Sequence, residues 1–290
     1  MKLFIKRVLI FLFLIGFIFS ICLYVLHEYS YSRSTLEIGE TNTILVVGDS
    51  QLECALNTKL ISNSYSVAQG GDNHLYNYAQ IRGLIRENKS IDTIILGHNY
   101  NNVMGSYEYY YKTPSILQYK VPKYFSVLQM EELKDLFFIN PKAMLVTAPL
   151  IIKHNINFYL KRNVTMTDLN FGGYLMIDKA FKNPTNSIEN LDKNSYSKIQ
   201  SKYLNKIVKL CQLENIKLFL VTSPNLHTQR FYTKKYRDYF ESIKFKGVTN
   251  VNLANMKLDS TNFYDFVHMN KKGSIAFTSF LRDSILRRYD

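Results

Sequence analysis

The chain has 290 residues, 47% hydrophobic and 14% aromatic with no Trp, which excludes global disorder and suits one good-sized α/β domain with additions. Its formal charge of +13 points to an acidic polymer or anionic lipid headgroups as partners. The three cysteines, Cys22, Cys54 and Cys211, show neither CxxC nor metal-ligand spacing, so no metal is expected; a Cys54–Cys211 disulfide is left open.

Lys2, Lys6 and Arg7 precede an uncharged run of 19 residues, Val8 to Leu26, long enough to cross a bilayer as a helix. The positive-inside tendency puts the N-terminus in the cytoplasm and everything beyond Leu26 outside. A cleaved signal peptide competes, but no small-x-small site follows the run. Phe19-Ser20-Ile21 before Cys22 also fits a lipoprotein signal poorly. The expected layout is therefore a cytoplasmic tail (1–7), a transmembrane anchor (8–26), a polar stalk (27–42) and an extracytoplasmic α/β domain (43–290). That domain would be periplasmic or on the outer face of the cytoplasmic membrane. With three basic residues left inside, the exported part carries +10, and export argues against nucleic acid as its partner.

Thr43 to Val47 reads as a buried first strand, broken by Gly48-Asp49, with Ser50 just beyond its carboxyl end, the edge where open α/β sheets bind ligands. A turn and helix cap is the plainer reading of Gly-Asp-Ser on its own. A helix starts at Gln51 to Leu56, and a loop follows from Asn57 to Ser64. Tyr65 to Ala68 is a second strand ending in Gln69-Gly70-Gly71-Asp72-Asn73, where two glycines let the backbone approach a ligand. Leu75 to Asn88 has helical spacing, and Asp92 to Leu96 is a third strand, followed by Gly97-His98-Asn99-Tyr100. This rhythm predicts a parallel sheet with helices on both faces.

Residues 104–194 break the rhythm and read as an inserted, mostly helical subdomain, with helical patterns at Met130 to Phe138 and Pro141 to Tyr159. Its Tyr107 to Tyr111 run is a packing surface or, more sharply, a sugar-stacking one. The rhythm returns with an amphipathic helix from Tyr196 to Glu214, a strand from Lys217 to Thr222 leading to Ser223-Pro224-Asn225, and a last strand from Val248 to Leu253. Lys271 to Arg287 is the closing helix, with Asn270 as its cap and Gly273 permitting close packing.

Asp265-Phe266-Val267-His268 puts a carboxylate three residues before an imidazole, so that in one helical turn both would point the same way. The carboxylate can orient the imidazole, and the imidazole can take the proton from a serine hydroxyl. An attacked carbonyl becomes an oxyanion that needs preorganised donors. The N–H groups of Ser50 and Gly71 and the side-chain amide of Asn99 would each follow a different strand at one sheet edge. Gln51, Asn73 and His98 are candidate pocket residues. His74, His154 and His227 read as surface or internally satisfied histidines, and Asp49 as a turn former.

Four blocks in this order, Gly48-Asp49-Ser50, Gly71, Gly97-x-Asn99 and Asp265-x-x-His268, resemble the SGNH (GDSL-like) hydrolase superfamily over about residues 43–103 and 216–288. The resemblance implies a three-layer α/β/α flavodoxin-like fold and no cofactor. It implies Ser50 as nucleophile, His268 as base, Asp265 as its orienter, and Ser50, Gly71 and Asn99 as oxyanion donors. Tyr100 stands where the third block usually has an Asp, which leaves the orientation of Asn99 open. The anchor and insertion look like those of extracytoplasmic members that modify envelope glycans, DltD-like proteins included. The expected function is therefore a serine esterase or acyltransferase acting on O-acyl groups, above all O-acetyl, of envelope or extracellular polysaccharide. A membrane-bound acyltransferase is a candidate partner. The alternatives are a DltD-like helper in D-alanyl transfer to an anionic polymer and a catalytically silent binding protein of the same fold.

Overall fold

The computed structural model describes residues 1–160, 164–182, 195–226 and 234–288. They form two compact units: residues 1–35 with 111–169, and residues 36–110 with 170–290.

The first unit is helical. Lys2–Arg33 is one helix of 32 residues, long and apolar enough to cross a membrane or to serve as a signal sequence. Its residues from Leu3 to Val25 display large exposed hydrophobic side chains. Pro114–Tyr124, Met130–Ile139 and Pro141–Leu160 follow as helices, the last two close to the bounds their periodicity predicts. Ser34–Thr35 pairs in parallel with Val164–Thr165.

The second unit is a five-stranded, all-parallel sheet. Its strands are β1 (Ile44–Val47), β2 (Ser64–Ser66), β3 (Thr93–Gly97), β4 (Lys217–Thr222) and β5 (Val248–Asn252), in the order β2-β1-β3-β4-β5. That is the flavodoxin-like doubly wound order, in which the strand order reverses between β1 and β3. The strands are apolar because both faces are covered. On one face Val46, Ile95, Phe219, Val221 and Val251 pack with Leu52 and Ala55 of the Ser50–Ala55 helix and with Phe277 and Leu281 of the Lys271–Ser284 helix. The alternating residues Leu45, Val47, Ile94 and Leu96 are also fully buried, and point to the opposite face. There the Lys198–Leu213 helix packs on β4 and against the His74–Glu87 helix.

Three expectations need correction. The segment 27–42 is no free stalk. Helix continues to Arg33, and Leu36 and Ile38 are buried, with Asn88 accepting the Ile38 N–H at 2.9 Å and donating to the Leu36 carbonyl at 2.7 Å. Of the expected insertion 104–194, residues 104–110 and the described residues 170–182 belong to the sheet unit. Asp265–His268 is not a helical turn. It is a tight bend between Phe263 and Met269, which form an antiparallel bridge, and the Tyr264 N–H donates to the His268 carbonyl at 2.9 Å.

Candidate active site

Parallel strands bring the ends of β1, β2, β3 and β4 to one edge, and Ser50, Gly71 and Asn99 follow β1, β2 and β3 at that edge. After β1, Gly48 faces Gly97 at the end of β3. A Cβ added to Gly48 would lie 3.2 Å from the Gly97 Cα, so the two loops meet backbone to backbone at the switch point. Asp49 then caps the Ser50–Ala55 helix, accepting the Gln51 N–H at 3.0 Å. Its other carboxylate oxygen accepts the Tyr107 hydroxyl at 2.9 Å. Ser50, first residue of that helix, is left half-buried.

The Asp265 bend reaches the same place from the far end of the chain. Asp265 Oδ1 accepts the N–H groups of Val267 and His268 at 2.9 and 2.8 Å, which folds the bend around the carboxylate. Asp265 Oδ2 lies 2.8 Å from His268 Nδ1, and His268 Nε2 lies 2.8 Å from Ser50 Oγ. Asn270 anchors the segment from behind. It caps the closing helix at the Gly273 N–H (3.1 Å) and donates to the carbonyls of Thr261 and Phe263.

Two further loops border Ser50. A Cβ on Gly70 would lie 3.7 Å from the Ser50 Cβ, and Gly71 takes a left-handed φ of 73°. Asn99 is buried and its Oδ1 accepts from the Ser223 N–H (3.1 Å) and hydroxyl (3.4 Å), which turns Nδ2 away from that contact. Nδ2 is itself buried and has no hydrogen-bond partner among the described residues. Chemically, the arrangement offers a hydroxyl, a base able to take its proton, an acid orienting that base, and a side-chain amide still free to donate.

The comparisons with known proteins are few. An uncharacterised protein family's model matches residues 170–290, less than half of the chain. No curated protein matches. A solved structure described as "The structure of a putative platelet activating factor from Streptococcus pneumonia" is similar with 11% identity and a TM-score of 0.33, over 89% of each chain. A likeness at that score carries no argument about this chain.

The electrostatics follow from burial and pairing. Burial alone would depress the His268 pKa, but the hydrogen bond and charge of Asp265, with Asp49 and Glu53 adding to them, hold it above its usual value. Burial pushes Asp265 up, yet the hydrogen bonds from the His268 ring and from the Val267 and His268 amides bring it below the usual carboxylate range. Burial raises Asp49 despite its bonds to Tyr107 and Gln51. The Cys54 thiol is pushed up to about 12 by burial and by Glu53, Asp265 and Asp49, which keeps it protonated. Cys54 and Cys211 are both free.

The candidate pocket residues Gln51, Asn73 and His98 are all buried. Gln51 is 4% exposed, facing inward from its helix. Asn73 caps the His74–Glu87 helix, accepting the Leu75 and Tyr76 amides. His98 is buried against Phe240 and lies 3.4 Å from His74, Nδ1 to Nε2. This histidine pair borders a cavity of about 250 Å³ with Asn102 and Gln200, and neither Ser50 nor His268 lines it. His74 is thus fully buried and not a surface histidine, its Nδ1 without a partner among the described residues; burial lowers its pKa to about 4. His154 is exposed, and His227 lies outside the described residues.

Sequence reasoning missed three features. Ser223, right after β4, fixes Asn99, and the only signal was a serine following a strand that turns out to neighbour β3. Glu53 accepts the Gly70 N–H at 2.8 Å. An extended strap, residues 171–182, runs past the Ala68–Gly71 loop, the Ser50–Ala55 helix and the Asp265 bend. The Gly173 N–H donates to the Ala68 carbonyl and the Leu175 N–H to the Glu53 carbonyl, both at 2.9 Å. The Ile177 carbonyl accepts the Lys271 N–H at 2.8 Å, and Phe181 meets Phe266 edge to face. Gly172-Gly173-Tyr174 gave no periodicity that would have announced it.

Proposed function

We propose that this chain is an SGNH-type serine esterase or acyltransferase. The observation that carries the reading is the hydrogen-bonded series Ser50 Oγ–His268 Nε2 and His268 Nδ1–Asp265 Oδ2, each 2.8 Å. The Ser50 hydroxyl adds to an ester carbonyl carbon as His268 Nε2 takes its proton. Asp265 steadies the imidazolium that results. The carbonyl oxygen becomes an oxyanion, received by the N–H groups of Ser50 and Gly71 and by Asn99 Nδ2, each donor contributing roughly 2–4 kcal/mol to the transition state. Collapse breaks the ester C–O bond, and His268 returns the proton to the departing alcohol. The acyl-Ser50 ester is then attacked by water or by a glycan hydroxyl as His268 again accepts the proton, and His268 gives that proton to Ser50 Oγ as the acyl C–Oγ bond breaks.

The substrate class in this reading is O-acylated, chiefly O-acetylated, polysaccharide of the cell envelope, with a membrane-bound acyltransferase as a donor partner in the transfer version. The membrane-length helix Lys2–Arg33, the net charge and the tyrosines at 107–110 support that placement. The helix would hold the N-terminus in the cytoplasm and the sheet unit outside. The test is hydrolysis of 4-nitrophenyl acetate by the detergent-solubilised full chain. Ser50→Ala is expected to lose about a thousandfold or more in kcat. A fluorophosphonate should add covalently to Ser50 and to no other residue. Wild-type turnover by Ser50→Ala would end the serine mechanism.

A further inference from the structure

The loop carrying Gly71 leaves an edge strand, so sheet pairing supports it from one side alone. Ladder bonds persist as far as the Val67 N–H to the Val46 carbonyl (2.9 Å) and the Gln69 N–H to the Gly48 carbonyl (3.0 Å). The next amide, Gly70, has left the sheet, and its N–H goes to Glu53 Oε2 at 2.8 Å. Glu53 stands three residues after Ser50 in one helix, so both side chains share a face. Consecutive glycines have little conformational preference, and a carboxylate–amide bond is among the stronger tethers available to such a loop. Glu53 also receives the strap, its carbonyl accepting the Leu175 N–H.

We propose that Glu53 is a positioning residue: its carboxylate, through the Gly70 N–H, sets the Gly71 amide against the carbonyl oxygen of an ester held at Ser50. This rests on the esterase reading above. Glu53 transfers no proton and touches no reacting atom. Its carboxylate lies at the Gly70 amide, next in sequence to the proposed donor Gly71, and a negative charge near a forming oxyanion opposes the reaction. What it contributes is reach to the Gly70 amide.

Two conservative variants separate reach from charge. Glu53→Asp keeps the charge and loses one methylene of reach. Glu53→Gln keeps the reach and an acceptor oxygen without the charge. With 4-nitrophenyl acetate and the full chain in detergent, Glu53→Asp is expected to lower kcat about tenfold or more with KM within about twofold, because the donor is misplaced only where charge develops. Glu53→Gln is expected to stay within about threefold of wild type in kcat. Its pH profile should shift to lower pH, since of the carboxylates around His268 only Asp265 and Asp49 remain. Wild-type kcat in Glu53→Asp, or equal losses in both variants, overturns the positioning role. If turnover also survives Ser50→Ala, the esterase reading falls together with it. If Ser50→Ala is dead while the Glu53 pair is indistinguishable, the inference about Glu53 alone fails.

Discussion

His268 can take the Ser50 proton only while neutral, so its pKa sets the acidic limb of any activity profile. Asp265, Asp49 and Glu53 together hold that pKa above the usual value of about 6.5, and kcat/KM should therefore rise with pH through a midpoint above about 6.5. In Asp265→Asn the strongest of these upward influences is gone and burial prevails. The midpoint should move down, while kcat drops about 10²–10⁴-fold because the imidazole loses its orienting acceptor. A pH–rate series on both proteins checks it, and an unmoved midpoint would separate Asp265 from His268. At this scale the sequence was most readable where contacts are local or lie in short patterns. Gly48-Asp49-Ser50 and Asp265-x-x-His268 each announce themselves within four residues. Ser223 and Glu53 do not, because their partners, Asn99 and Gly70, become neighbours only once β4 pairs with β3 and the β2 loop folds over the Ser50–Ala55 helix.

Among the elements, the closing helix Lys271–Ser284 ties site to core. Phe277 and Leu281 pack under the sheet, and Asn270 at its cap stands two residues after His268. Gly273, in its first turn, lies so close to the carbonyl of Asn262 that a Cβ there would strike backbone rather than a side chain able to move. Gly273→Ala should lower unfolding free energy by about 3 kcal/mol, the upper end for overpacking, as measured by urea denaturation. A change under about 0.5 kcal/mol would mean the Asn262 turn yields freely. Close packing at Gly273 was legible from its place in the first turn, and β1 and β3 from their apolar, β-branched runs ahead of turn residues. The Asp265 bend was misjudged as helical because a three-residue spacing suits a helix. Here the carboxylate itself closes the turn by accepting two amides, an alternative that short acidic side chains offer the backbone. The strap escaped notice because its bonds run to other segments and leave no period in its own residues.

For the whole chain, the N-terminal helix and the sheet unit make separate demands. A helix with apolar side chains exposed from Leu3 to Val25 should keep the full-length protein in the membrane fraction through an alkaline carbonate wash. Recovery of a soluble chain lacking this segment would identify it instead as a cleaved signal. Within the sheet unit, Ser50 and His268 come from opposite ends of the sequence, and local structure alone holds neither against the other. The ribbon at 171–182 supplies what sequence distance denies, with backbone bonds to Ala68, Glu53, Tyr264 and Lys271, each three or four residues from Gly71, Ser50 or His268. Those loops share one tensioning cord, so slack anywhere along it reaches all of them together. The reacting groups should disengage as a set while the sheet beneath stays whole.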